Sequence, residues 1–387
     1  MTAATAVAPA TPWESVEYTL RKHYYNPDLQ AARAVYSAAA IHHYGVRPPV
    51  WLMLIAPPGS MKTVLLDALT GMPGVHPVDM VTKNTFLSGQ IAMGKNRPSS
   101  SLLHRIGPKG IITFADFSTI LGMRWDDCNT IFAQCRRIYD GRINREYGTN
   151  DGDTEWTGHI TFLAACTNNI ERFQQQMKGL GERFTQVCMP RSGTRAARAA
   201  LGQNSRTCTE ELREAVQSLL KRLPASAPGI SDEFMDRTAF LAEFIAHARA
   251  PIHRDSQKRI DAIVEVETPT RLSQVLAQIG KGSAAIDGRD TINESDFSLM
   301  TRIAFDCIPE ARRIYLRWII AGGATREFLT INGTVLSQTR EELSELGVAE
   351  GEMLTEDFQS FIDRAMVTTH NCRRPEERPH GVLTINQ

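Results

Sequence analysis

Between residues 56 and 63 the chain reads Ala-Pro-Pro-Gly-Ser-Met-Lys-Thr, after the apolar run Trp51–Ala56 and before the helical stretch Val64-Leu65-Leu66 to Leu69. A strand, a tight loop and a helix in that order are what a phosphate-binding loop requires. Successive backbone N–H groups and the positive helix end then cradle the β- and γ-phosphates of a nucleotide. Pro58, Gly59, Ser60 and Met61 would supply that loop, Lys62 a point charge, and the Thr63 hydroxyl a ligand for Mg2+. The usual pattern has glycine at the first and sixth places, where this chain carries Ala56 and Met61. Glycine allows tight backbone geometry there, which makes Met61 the weak point of the match. A turn with a coincidental Lys-Thr is the alternative reading.

Three further elements fall where such a loop needs them. Gly110–Ala115 is an apolar run ending in Asp116, a carboxylate suited to holding Mg2+ through water. The next residue is Phe117, where fast nucleotide hydrolases commonly carry a glutamate that polarises water; Asp126, Asp127 and Glu146 are the nearest substitutes in sequence. Ile160–Thr167 leads into Asn168-Asn169, an amide able to meet a γ-phosphate or orient water, or else a plain turn before a helix. Gly179-Leu180-Gly181-Glu182-Arg183-Phe184 places Arg183 where it would point out of the subunit toward a neighbour's nucleotide, or simply into solvent. An arginine supplied in trans is worth roughly 10³–10⁵ in rate.

In this order and at these intervals the elements resemble the AAA+ family of ring-forming ATPases, over roughly Val46 to Cys307. The resemblance implies ATP and Mg2+ as cofactors and a homo-oligomer, commonly a ring. It makes Ala56–Thr63 the Walker A loop, Asp116 the Walker B aspartate, Asn168 the sensor-1 residue and Arg183 the arginine finger. Arg271, in Thr268-Pro269-Thr270-Arg271-Leu272, looks like sensor 2 and would reach the γ-phosphate. Ala56, Met61 and Phe117 depart from the family pattern.

Within the family the likeness is to MCM-type helicases and to phage and mobile-element ATPases. Ile138–Gly158 has a hairpin pattern, with Ile143, Arg145 and Tyr147 alternating and Glu155-Trp156-Thr157 returning. In that branch such a hairpin meets DNA in the ring pore, which implies Arg142 and Arg145 as contacts; an ordinary surface hairpin is the alternative. Pro309–Gly347 resembles a winged helix, with Arg340 on its recognition helix beside Thr334, Gln338 and Thr339. Glu341, Glu342 and Glu345 on that helix would repel phosphate.

The elements positioning these groups follow from hydrophobic patterning. Trp51–Ala56, Gly110–Ala115, His159–Thr167 and Phe184–Pro190 are compact buried-strand runs alternating with helical stretches. They predict an α/β core with a parallel sheet. The expected division is 1–45 leader and N-terminal helices, 46–206 P-loop core, 207–308 helical lid, 309–369 winged-helix-like domain and 370–387 disordered tail. Within the lid, Glu210–Leu223, Ser231–Ala250, Pro251–Glu265, Thr270–Ile286 and Glu294–Cys307 are expected to be helical. The third domain is expected to pack helices 309–321, 324–329 and 334–346.

Lys plus Arg total 43 and Asp plus Glu total 43 among 387 residues, so any polyanion site must be a local patch rather than bulk charge. Arg191, Arg195, Arg198 and Arg206 form one such patch, for nucleic acid or for a subunit interface. Tyr18, Tyr24 and Tyr25 read as packing, and His42-His43 as a helix end. The cysteines at 128, 135, 166, 188, 208, 307 and 372 form no CxxC pair and read as free thiols of a reducing compartment. Met1–Pro12 lacks a signal peptide's basic and apolar regions, and no apolar run approaches a membrane span. The expected setting is cytoplasmic, without a membrane partner. Three functions remain open: an ATP-driven motor or remodeler on DNA, an ATP-gated DNA-binding regulator or loader with slow turnover, and a degenerate structural AAA+ subunit.

Overall fold

The computed structural model describes residues 11–88, 101–146, 155–167, 182–202, 205–257, 259–263, 265–323 and 331–366. They form two compact units. One takes the chain up to Ile230 together with Ala277–Met300; the other takes Ser231–Leu276 and the chain from Thr301 onward. The division falls after residues 230, 276 and 300. Two long helices, α10 (Thr270–Ile286) and α11 (Glu294–Asp306), run through it.

The first unit is built on a parallel α/β sheet. Its strands are β1 (Trp51–Ile55), β2 (Val75–Val78), β3 (Lys109–Phe114), β6 (His159–Cys166) and β7 (Phe184–Cys188), in the order β2-β3-β6-β1-β7. Every residue of β1 is buried, as a parallel strand flanked by β6 and β7 and covered on both faces must be. Trp51 fills the centre, meeting Tyr139, Phe162 and Phe184 at ring-centroid distances of 5.0–5.2 Å. Its indole N–H donates to Ile160 O at 2.8 Å, so the buried donor is satisfied. Edge strand β2 carries Pro77, tolerable only at an edge because proline cannot donate to a ladder.

Helices α1 (Pro12–His23) and α2 (Leu29–His43) precede β1. The alanine-rich α2 is buried from Ala31 to Ala32 and from Ala34 through His42. A Cβ on Gly282 of α10 would lie 2.1 Å from Ser37 O, so only glycine permits this backbone approach to α2. After β1 come α3 (Lys62–Asp67), α4 (Leu102–Ile106), α5 (Ser118–Leu121) and α6 (Trp125–Tyr139). Cys128, Ile131, Phe132, Cys135, Ile138 and Tyr139 make up one face of α6, at helical spacing, against the sheet. The hairpin expected over 138–158 is present as β4 (Arg142–Asn144) and β5 (Glu155–Thr157), with Ile143 opposite Trp156. The unit also holds α7 (Thr194–Ala200) and α8 (Ser205–Lys221).

In the second unit, α9 (Asp232–Ala248) leads to a correction: the helix expected over 251–265 is a hairpin of β8 (Ile252–Arg254) and β9 (Ile260–Ile263). Asp255 builds its turn, accepting from the N–H groups of Gln257 and Arg259 at 2.8 and 2.9 Å. The β-branched isoleucines then favour pairing over helix. Next come α12 (Glu310–Ile320), α13 (Gly333–Glu345), a short hairpin of β10 (Ala349–Glu350) and β11 (Met353–Leu354), and α14 (Glu356–Met366). The hairpin and α14 are absent from the sequence expectation. Phe358 of α14 packs on Phe244 of α9 at 5.9 Å, and Arg237 donates to Ala365 O at 2.9 Å. The expected helix 324–329 and tail 370–387 lie outside the described residues.

Candidate functional site

The loop after β1 takes an unusual backbone path. Gly59 has φ +79° and Met61 has φ 63° and ψ 0°, both left-handed. Left-handed conformations turn successive N–H groups toward one side, making a concavity suited to an anion. Helix α3 behind it has only six residues, so the loop amides rather than a helix dipole make the cradle. Position 61, where the sequence pattern lacks its glycine, thus takes the conformation a glycine would adopt freely.

Lys62 opens α3. Its Nζ donates to Ala56 O at 2.6 Å and to Pro57 O at 2.9 Å. Burial holds the ammonium's pKa below its ordinary value, while Cys166 and Asp116 oppose that shift, so both lie within its electrostatic reach. Thr63 is exposed beside it.

The sheet brings Asp116 to the same edge. β6 alone separates β1 from β3, so the two strand ends stand about 10 Å apart. Ala56 N–H donates to Cys166 O at 3.2 Å and Phe117 N–H to Ala165 O at 2.8 Å, tying both loops to the end of β6. The exposed Asp116 carboxylate accepts from Ser118 N–H at 3.0 Å. Ser118 Oγ in turn lies 3.5 Å from Cys166 Sγ and 3.4 Å from Thr167 Oγ1. Ser118, Cys166 and Thr167 line the ground between Lys62 and Asp116, and the sequence reading missed them. The only signal was polar or thiol residues at the end of a strand run, which many strands show. Asn168 and Asn169 lie outside the described residues.

Loop amides, a lysine, an exposed threonine and an exposed carboxylate on one sheet edge fit a nucleotide phosphate group with its divalent cation. Magnesium of this kind takes one or two protein ligands plus phosphate oxygens. Among the described residues no cluster of three His, Cys, Asp or Glu could hold a metal without such help.

Phe117 is 1 % exposed and turned into the core. Its ring meets Phe184 at 5.5 Å, Phe114 at 6.0 Å and Phe132 at 6.2 Å, nearly parallel to the last. Asp127 lies 3.8 Å from Lys83, and Glu146 accepts from Asn144 at 3.3 Å.

Arg183 requires a correction. Its side chain is 12 % exposed, lying 5.5 Å over the Tyr139 ring and 3.6 Å from Asp140, so it folds onto its own unit instead of projecting outward. A planar guanidinium stacks well on an aromatic face, and that contact holds it here. Gly179, Leu180 and Gly181 lie outside the described residues.

Arg142, Arg145 and Arg340, expected to meet DNA from the hairpin and the recognition helix, are each engaged within the chain. Arg142 pairs with Glu155 across the hairpin at 3.0 Å, and Arg145 donates to Lys83 O at 2.6 Å. The base of that hairpin is pinned down, with Ile143 and Trp156 in the core and Trp156 Nε1 donating to Gly107 O at 2.9 Å. In the second unit Arg340 donates to Tyr315 Oη at 3.0 Å and to Glu352 at 2.6 Å. Glu341 and Glu342 on the same helix are matched by Arg254, and Glu342 also by Arg312 at 2.8 Å. Arg271 is half-buried in the first turn of α10. Tyr18 and Tyr25 are exposed rather than packed, and Arg195 Nη1 reaches Tyr25 Oη at 3.5 Å.

No protein-family model matches this sequence, and no curated protein matches it either. Among the described residues no helix is long and apolar enough to cross a membrane.

Proposed function

We propose that this chain binds ATP–Mg2+ at Pro58–Thr63 and is an AAA+ ATPase that works as a cytoplasmic homo-oligomer on DNA, as a helicase-like motor or remodeler. The observation that carries the reading is the loop backbone: left-handed Gly59 and Met61 ahead of Lys62, with Asp116 two strands away on the same edge. Loop amides and Lys62 would neutralise the β- and γ-phosphates, and Thr63 and Asp116 would hold Mg2+. Helices α12 and α13 followed by the β10–β11 hairpin support the winged-helix-like reading. The pairing of Glu341 and Glu342 with arginines reduces the repulsion that α13 would otherwise present to phosphate, leaving Glu345 exposed.

The burial of Phe117 favours a second reading, an ATP-gated DNA-binding regulator or loader of slow turnover. No carboxylate follows Asp116 to polarise water. Steady-state ATPase activity against protein concentration, with and without single- and double-stranded DNA, separates the two. Turnover rising with both protein and DNA supports the motor. Tight ATP binding with negligible turnover supports the switch, and no ATP binding ends both.

A further inference from the structure

Away from the loop, α1 ends where α8 begins. A cleft of about 440 Å³ opens there, lined by Arg21, Lys22, Tyr24, Tyr25, His23 and Cys208 among others. Cys208 Sγ lies 3.1 Å from His23 Nδ1, and His23 Nε2 lies 2.7 Å from Glu211 Oε2. Lys22 Nζ donates to the same carboxylate oxygen at 2.6 Å. Hydrogen bonds from Lys22 and His23 hold Glu211 below its ordinary pKa, so the carboxylate accepts only. That fixes the neutral imidazole's proton on Nε2 and turns the Nδ1 lone pair toward the thiol. A nucleophile, a base and a group orienting the base stand in line, which is the arrangement that activates a thiol. Cys208 also sits in the first turn of the 17-residue helix α8, where the backbone favours negative charge developing on sulfur. It is 2 % exposed, so a reagent reaches it only through the cleft.

We propose that Cys208 is a nucleophilic thiol, with His23 as its base and Glu211 orienting His23, that forms mixed disulfides with small carboxylate-bearing disulfides. Arg21 and Lys22 on the cleft wall, paired with Glu17 and Glu211, each keep further N–H donors for the carboxylates of such a reagent. In the reaction Sγ attacks one sulfur of the disulfide while its proton passes to His23 Nδ1. The S–S bond breaks, the leaving thiolate takes that proton, and a protein mixed disulfide and one free small thiol result. One disulfide replaces another, so no outside oxidant is consumed. The proposal is independent of the nucleotide reading.

The test alkylates the full-length native chain with limiting iodoacetamide at pH 7 and assigns labelled cysteines by peptide mass spectrometry. Cys208 is expected to react first, and faster than in the chain unfolded in guanidinium. Its labelling is expected to slow by about 10²-fold in His23→Gln. Glutathione disulfide is expected to add one equivalent at Cys208. Slower labelling of Cys208 in the native than in the unfolded chain, or an unchanged rate in a folded His23→Gln variant, overturns the proposal. Should circular dichroism show that variant unfolded, Glu211→Gln decides: at least about tenfold slower labelling supports the relay and an unchanged rate refutes it.

Discussion

Lys62 Nζ donates to Ala56 O at 2.6 Å, which closes the loop on itself over six residues. The two carbonyls of Ala56 and Pro57 hold the ammonium where a phosphate oxygen would otherwise compete for it. A hydrogen bond to a charged group is worth about 1.5–3 kcal/mol, so losing the ammonium costs an incoming phosphate at least that much. Lys62→Ala is expected to weaken ATP–Mg2+ binding by at least about tenfold, read by titration with a fluorescent ATP analogue. Unchanged affinity in that variant would sink the phosphate-loop assignment.

Met61 holds a left-handed backbone at φ 63° with no side-chain cap on α3. For a residue with a Cβ this conformation costs about 1–2 kcal/mol, and glycine gives back about 0.5–1 kcal/mol in unfolded-state entropy. Met61→Gly is therefore expected to raise the urea-unfolding free energy by about 0.5–1 kcal/mol. Met61→Val should lower it, because β-branching makes the same backbone harder to reach. A glycine variant less stable than the parent would mean that contacts of the methionine side chain outweigh the strain.

Phe117 shows why placing a glutamate after Asp116 would not supply a water-polarising carboxylate. Its ring stands among Phe114, Phe132 and Phe184, so Phe117→Glu would place a carboxylate in an aromatic core. That combines a lost aromatic side chain with an unpaired buried charge, a destabilisation of about 3–5 kcal/mol or more. The variant is expected to unfold at much lower urea and to gain no ATPase activity, whereas Phe117→Leu should stay folded and keep ATP affinity. A folded Phe117→Glu variant with raised turnover would show that the side chain at 117 can turn out to the loop.

Much of the first unit is legible in the sequence because a parallel sheet buries its strands on both faces. The four apolar runs beginning at Trp51, Gly110, His159 and Phe184 match β1, β3, β6 and β7 within two residues at either end. The loop and Asp116 follow from those strands, since each lies directly after one. Edge strand β2 escapes, being four residues long and interrupted by Pro77. The direction of a long side chain escapes too: nothing in Gly181-Glu182-Arg183 tells that the guanidinium will lie over Tyr139, a neighbour brought in by tertiary packing. The 251–265 hairpin was lost because an isolated isoleucine pattern fits helix and strand equally until the Asp255 turn fixes the register.

His42 and His159 stack at 5.1 Å across the first unit, and His42 Nδ1 lies 2.9 Å from Thr161 Oγ1. Burial, with the charges of His159, Lys109 and His43 adding, pulls His42 down to about 3, and burial with Arg47 and Lys109 pulls His159 to about 4. Both imidazoles are thus neutral in the folded chain at pH values where an unfolded chain, with histidines near 6.5, takes up protons. Their contribution is complete above pH about 6.5 and is lost as pH falls toward 4 and then 3. The urea midpoint is expected to drop between pH 7 and pH 5 in the parent. In His159→Phe, which keeps a ring against His42 and removes one of the two titrating groups, the drop should be shallower. Equal slopes for the two proteins over that interval would assign the acid sensitivity to other groups.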